Sequence, residues 1–101
     1  MTRDELHYQY KSLLTDEYGY ITCPELNISD DWIPHLKALL GAIEQHLIAT
    51  PYCTPVVIQE VDVSHDLTTD QKQLIFRFTG GDDYIRGLVA FAIESYALLC
   101  P

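Results

Sequence analysis

The stretch that decides the fold class is residues 55–79, PVVIQEVDVSHDLTTDQKQLIFRFT. Pro55–Val63 is rich in β-branched residues and Gln71–Thr79 has alternating apolar positions, so each run predicts a β-strand. The connecting SHDLTTD is turn material longer than two residues, which predicts an antiparallel hairpin. The predicted inward positions are Val57, Val61 and Val63 in the first strand and Leu74, Phe76 and Phe78 in the second.

Helical patterns precede and follow this hairpin. Thr2 and Glu5 form a capping box ahead of apolar residues at helical spacing, which predicts a first helix over residues 3–17. A second helix is predicted to start from capping side chains at residues 29–31, with Pro34 in its first turn, and to end near residue 49 or 50. A glycine pair at 80–81 ends the second strand, and Asp82 or Asp83 caps a last helix over residues 83–99.

Together these elements predict a single α+β domain over residues 1–101, in the order α-α-β-β-α. At 101 residues, 48% of them hydrophobic, the chain is long enough to build one core. We expect the hairpin to pack against the helices through Leu36, Leu40, Ile43, Ile85 and Leu88.

The charge balance restricts the classes of partner. Fifteen Asp and Glu against six Lys and Arg give a net charge of −9, and the basic residues form no cluster. Binding to nucleic acid or to an anionic membrane depends on cationic side chains, so the sequence argues against both. A basic surface on a protein or nucleoprotein complex is the natural complement. The simpler interpretation is that the same charge keeps a small protein soluble and monomeric.

Targeting and cysteine usage indicate a cytoplasmic protein. The first ten residues, MTRDELHYQY, are polar where a signal peptide would be apolar, and no apolar run approaches the roughly 20 residues that span a bilayer. Cys23, Cys53 and Cys100 are an odd number of widely spaced cysteines, which predicts free thiols in a reducing compartment.

Residues able to carry chemistry form no recognised motif. The pairs Asp30–Asp31 and Asp82–Asp83 each precede a predicted helix, where capping explains them. The four histidines, His7, His35, His46 and His65, have no metal-ligand spacing with the cysteines. We therefore expect no catalytic residue, no metal and no cofactor. The alternative is a small metal- or thiol-dependent enzyme that uses Cys23, His35 or His65.

Tyrosines supply the strongest indication of a binding surface. Four of the seven lie within residues 8–20, among acidic side chains. Tyrosine is enriched in interfaces because it offers a large contact area with a polar tip. The predicted partner-binding residues are Asp4, Glu5, Tyr8, Asp16, Glu17 and Tyr18. The alternative is that the rings complete the edge of a small core.

The last predicted helix is apolar around much of its circumference. Phe91, Ile93 and Leu98 lie outside its main apolar stripe, so the helix is either enclosed within the domain or shared with another chain. A homodimer formed through Phe91 and Leu98, with a structural or accessory role, is therefore a further alternative.

The chain also resembles a family of small uncharacterised proteins carried by phages and prophages. The similar features are Asp31-Trp32-Ile33-Pro34 with Leu36 and Leu40 after Cys23, the strand Leu74–Phe78, and Gly80-Gly81-Asp82-Asp83 followed by Ile85, Leu88, Ala92, Ser95 and Cys100. The resemblance covers about residues 23–100 and implies a phage setting in the host cytosol. With the charge, it favours a non-catalytic acidic protein-binding module: a phage-encoded inhibitor of a host defence or nucleic-acid-handling complex, anti-CRISPR-like or acting as a DNA mimic.

Overall fold

The computed structural model describes residues 2–28, 30–66, 68 and 71–99, and in them three α-helices accompany a two-stranded antiparallel hairpin. The elements are α1 Arg3–Gln9, a 3₁₀ turn Asp30–Trp32, α2 Ile33–Ala49, β1 Val57–Asp66, β2 Gln71–Thr79 and α3 Asp83–Leu99. The predicted α+β class and α-α-β-β-α order are confirmed. Among the described residues, no helix is both long enough and apolar enough to cross a membrane.

The hairpin pairs from Val57 opposite Thr79 to Asp66 opposite Gln71. A β-bulge between Ile58 and Glu60 shifts the register by one residue, so Ile58 and Val61 both point into the core. The prediction that Val57 shares the inward face is wrong for this reason, because Ile58 takes that position and Val57 is half-buried. Of the predicted SHDLTTD loop, Leu67, Thr69 and Asp70 lie outside the described residues.

One face of the hairpin is covered by helices. α3 packs against β2, and α2 packs against α3. A lone two-stranded sheet is marginal in water, so the hairpin depends on this cover for its stability. The predicted inward residues of β2 are confirmed, with Leu74 and Phe76 buried and Phe78 packed against the core. The core also contains the predicted helix residues Leu36, Leu40, Ile43 and Ile85, while Leu88 is partly buried at its edge.

The first helix is shorter than predicted. The predicted N-cap is present, since the Thr2 hydroxyl accepts a hydrogen bond from the Glu5 amide at 3.2 Å, while the Glu5 carboxylate contacts the Thr2 hydroxyl rather than its amide. The α-helix nevertheless ends at Gln9 and gives way to tight turns. The carbonyls of Leu13 and Leu14 instead accept tertiary hydrogen bonds from the amides of Ile58, at 2.7 Å, and Thr22, at 2.9 Å. These long-range partners replace the hydrogen bonds that a longer helix would make.

The second helix begins differently from the prediction. Its N-cap is Trp32 in a helical conformation without a side-chain capping bond, because the 3₁₀ turn Asp30–Trp32 leads directly into it. Pro34 does lie in the first turn, as predicted. The Asp30 carboxylate pairs with Arg3, and Ser29 lies outside the described residues. The helix end at Ala49 is confirmed.

The glycine pair before α3 allows a close approach of two backbone segments. Gly80 and Gly81 have φ of +82° and +81°. A Cβ atom on Gly80 would stand 1.9 Å from the carbonyl oxygen of Pro55, and the Gly81 amide donates to the Thr54 carbonyl at 3.0 Å. The segment after α2 is therefore held against the start of α3.

We expect Phe76→Ala to lower the free energy of unfolding by about 3–5 kcal/mol, because it leaves a cavity in the core. The matched control is Phe91→Ala, since Phe91 is 72% exposed on α3 and should cost less than about 0.5 kcal/mol. Chemical denaturation measures both. A loss below about 1 kcal/mol for Phe76→Ala would contradict the assigned face of β2.

We expect Gly80→Ala to lower the unfolding free energy by at least about 2 kcal/mol, through the left-handed backbone and the clash with Pro55. Gly19→Ala separates the two causes, because Gly19 has a φ of +84° and no atom within 4 Å of an added Cβ. Equal losses in the two variants would show that the contact with Pro55 contributes nothing.

Candidate functional site

The predicted binding residues lie on α1 and on a tight turn that follows it. Thr15 and Ile21 form an isolated antiparallel bridge, so the chain reverses over residues 16–20. Asp4 and Tyr8 on α1 line a groove of about 380 Å³ together with Gly19 and Ile21 of the turn. Glu17 and Tyr18 are exposed within the turn. We call this surface the N-terminal face: Asp4, Glu5, Tyr8, Asp16, Glu17, Tyr18, Tyr20 and Ile21.

All three tyrosines of this face are exposed to solvent. Tyr8, Tyr18 and Tyr20 are 78%, 77% and 73% exposed, whereas Tyr10 and Tyr96 are buried. The interpretation that the rings complete the core therefore holds only for Tyr10 and Tyr96 among the seven. Exposed aromatic side chains gathered in one region are typical of protein-binding surfaces.

Two of the predicted carboxylates have local structural tasks. The Glu5 carboxylate accepts a hydrogen bond from the Thr2 hydroxyl at 3.3 Å. Asp16 is half-buried, and its Oδ1 accepts from the amides of Tyr18 and Tyr20, both at 2.9 Å. Asp16 thus shapes the turn that displays the tyrosines. Asp4 and Glu17 are the carboxylates that remain exposed without such a task among the described contacts.

Arg3 contributes little positive charge to the face. Its Nε donates to the Leu26 carbonyl at 3.1 Å, and its guanidinium also contacts the Ile28 carbonyl and the Asp30 carboxylate. The remaining basic residue of the region, Lys11, lies 5.9 Å from the Tyr8 ring centre. Residues 1–31 contain seven of the fifteen carboxylates and only these two basic side chains. The local field is therefore negative.

A second surface is the apolar groove between α2 and α3. Its volume is about 440 Å³, and its lining includes Trp32, Leu39, Leu88, Phe91 and Ser95. Trp32 is buried with its ring edge-on to Tyr96 at 4.9 Å, and its indole N–H has no hydrogen-bond partner in the described part of the chain. Exposed Phe91 agrees with the prediction that α3 has apolar residues outside its core stripe. The Leu98 side chain lies outside the described part.

Among the side chains that the structure describes, Cys23 and His35 do not share a group of potential metal ligands. Cys23 is buried, and burial is the main reason that its pKa is raised, which disfavours a reactive thiolate. His35 is exposed near Trp32, with ring centres 6.0 Å apart. The side chain of His65 and the whole of Cys100 lie outside the described residues. Cys23 and Cys53 are free thiols, as predicted.

The structure assembles a different group, His46, Cys53 and Asp82. The Asp82 Oδ2 accepts a hydrogen bond from His46 Nε2 at 2.7 Å, and its Oδ1 accepts from the Ile85 amide at 3.1 Å. Potential ligand atoms of the three side chains all lie within 4.8 Å of one another. In the sequence, helix capping explains Asp82, because 36 residues separate it from His46 and no spacing rule joins the two.

The charges within this group affect one another. The hydrogen bond from His46 is the main reason that the Asp82 pKa is lowered, and the Ile85 amide adds to it. Desolvation raises the pKa of the Cys53 thiol, and the nearby Asp82 charge raises it further. Cys53 is therefore a poor nucleophile in this arrangement. His46 is also held by Tyr84, whose ring stacks on it at 4.4 Å.

Comparison of the chain with protein-family models, with curated protein sequences and with solved structures finds no match.

We expect Asp82→Asn to destabilise the metal-free protein at neutral pH. Asparagine still caps a helix but lacks the charge that His46 contacts. Because folding lowers the Asp82 pKa below its ordinary value of 3.8, the wild-type advantage is present above that pH and is lost as pH falls through the folded-state pKa. Denaturation between pH 7 and pH ~2.5 tests this, with exposed Asp83→Asn as control. A difference that stays constant over this range would refute it.

Proposed function

We propose that this chain is a non-catalytic, acidic protein-binding module that presents its N-terminal face to a basic surface on another protein. The observation that carries the proposal is the display of Tyr8, Tyr18 and Tyr20 beside exposed carboxylates on one short part of the chain. Aromatic anchors supply most of the binding energy in many interfaces, and surrounding charges direct encounter and exclude wrong partners.

The hydrogen bonds within the turn at residues 16–20 support this role. Asp16 fixes the backbone amides of Tyr18 and Tyr20, so the two rings are displayed from an ordered turn before a partner arrives. An ordered display lowers the entropy lost on binding. The groove beside Tyr8 and Ile21 offers a recess for a partner side chain.

We extend the proposal to a phage-encoded inhibitor of a host defence or nucleic-acid-handling complex. This setting rests on the sequence resemblance and on the net charge of −9 alone. In such a complex the N-terminal face would occupy a basic groove that otherwise receives DNA or RNA, since carboxylates present the charge that phosphates would. Binding would then compete with nucleic acid.

We expect the double variant Asp4→Lys/Glu17→Lys to slow association with a partner recovered by affinity capture from host lysate, by roughly 3- to 10-fold at low salt. Added salt should slow the wild type more than the variant, because exposed charges are screened within about 10 Å at 0.1 M. Surface plasmon resonance measures both rates. The dissociation rate should change little.

The matched control is Glu44→Lys/Glu94→Lys, which makes the same change in net charge on α2 and α3. If the control slows association as much as the test variant, net charge rather than the N-terminal face steers binding.

Tyr18→Ala should weaken binding where Tyr52→Ala does not, because Tyr52 is exposed on the segment between α2 and β1. An association rate that changes neither with salt nor with charge reversal would contradict the proposal.

The second candidate is a homodimer that buries the groove between α2 and α3. Exposed Phe91 beside that groove favours it. Light scattering on the purified chain distinguishes the two functions, since Phe91→Glu should convert such a dimer into a monomer and should leave partner binding through the N-terminal face unchanged.

A further inference from the structure

The segment after α2 and the start of α3 meet at the group His46, Cys53 and Asp82. His46 lies in the last turn of α2, Cys53 follows it in a turn closed by its amide donating to the Thr50 carbonyl at 2.9 Å, and Asp82 precedes α3. The Gly81 amide bond to Thr54 brings the two segments together. Three side chains of different chemistry therefore converge from three separate parts of the fold.

We propose that His46, Cys53 and Asp82 form a zinc-binding site. Imidazole, thiolate and carboxylate are the three side-chain ligand types that Zn²⁺ uses in proteins. A thiolate and an imidazole disfavour Mg²⁺ and Ca²⁺, which select oxygen ligands. With three protein ligands, the fourth tetrahedral position is left for water or for a donor from another molecule.

The geometry allows this with small side-chain movements. Tetrahedral zinc with ordinary bond lengths places neighbouring ligand atoms about 3.3–3.6 Å apart. His46 Nε2 and Asp82 Oδ2 are now 2.7 Å apart, at hydrogen-bond distance, so they would separate by roughly half an ångström or more. Because all ligand atoms already lie within 4.8 Å of one another, side-chain rotation brings Cys53 into place without a change of fold.

The hydrogen bond between His46 and Asp82 marks the position that the zinc ion would occupy. A carboxylate can only accept, so Nε2 of His46 carries the proton of their hydrogen bond. Zinc takes the place of the hydrogen on Nε2 of His46, whose imidazole stays neutral with its proton on Nδ1, and the Cys53 thiol proton leaves to solvent. The product contains Zn²⁺, one thiolate, one carboxylate and a neutral imidazole, so the charges of the ion and its ligands balance.

The surroundings hold two of the ligands in position. The Ile85 amide binds the other oxygen of Asp82, and the stacked Tyr84 ring restricts rotation of the His46 imidazole. Such contacts outside the ligand set orient ligands toward a metal. The Gly80 contact with Pro55 restrains the segment that carries Cys53.

The test uses the full chain prepared without an affinity tag and stripped with a chelator. Competition with a chromogenic zinc chelator should give one equivalent of bound Zn²⁺, and Co²⁺ should produce a thiolate-to-metal charge-transfer band with tetrahedral d–d bands. Cys53→Ser and His46→Gln should each weaken Zn²⁺ binding at least about 10-fold, and Cys53→Ser should abolish the charge-transfer band.

His35→Gln and Cys23→Ala are the matched controls, since each removes the same residue type elsewhere, and both should bind zinc like the wild type. Circular dichroism confirms that each variant is folded before titration. Zinc should also raise the thermal midpoint of the wild type, and raise that of Cys53→Ser by less at the same zinc concentration. Absence of stoichiometric zinc binding by the wild type, or binding that survives Cys53→Ser and is lost in Cys23→Ala, would overturn the proposal. Neither result bears on binding through the N-terminal face.

Discussion

The close contact between Gly80 and the Pro55 carbonyl is the constraint on which the rest of the structure depends. A side chain at position 80 would stand 1.9 Å from that oxygen, so only glycine lets the end of β2 meet the segment after α2. The contact sets the direction in which α3 leaves the hairpin, and α3 then covers β2 and packs on α2. It also brings Asp82 within reach of His46 and Cys53. Fold and candidate metal site thus share one backbone requirement.

Sequence patterns correctly predicted the features that depend on residues close together in the chain. Spacing along the chain predicts the N-cap at Thr2, the apolar stripe of α2, the alternation of β2 and the bounds of α3, since each depends on neighbouring residues. The errors lie where tertiary partners decide. Ile58 and Thr22 bind the carbonyls of Leu13 and Leu14, which a helix reaching residue 17 would need, and a bulge after Ile58 reverses the facing of Val57. Neither these tertiary hydrogen bonds nor the β-bulge has a recognisable sequence pattern.

Of the two candidate sites, the sequence indicates the N-terminal face but not the group His46, Cys53 and Asp82. Exposure of Tyr8 and Tyr18 agrees with the crowding of tyrosines and carboxylates in the sequence, because short acidic segments around α1 supply little apolar cover. The convergence of His46 with Cys53 and Asp82 could not be predicted, because it requires knowing which segment the glycine pair contacts. One small chain thus presents an acidic aromatic face on α1 and the following turn, and a separate group of potential metal ligands at the start of α3.

We propose that partners bind through the N-terminal face, and hydrogen–deuterium exchange of the complex with the captured partner locates the binding surface. Binding should slow amide exchange over residues 2–21 and leave the amides of α3 around Phe91 unchanged. Protection confined to α2 and α3, with unchanged exchange over residues 2–21, would contradict it and would assign binding to the apolar groove instead.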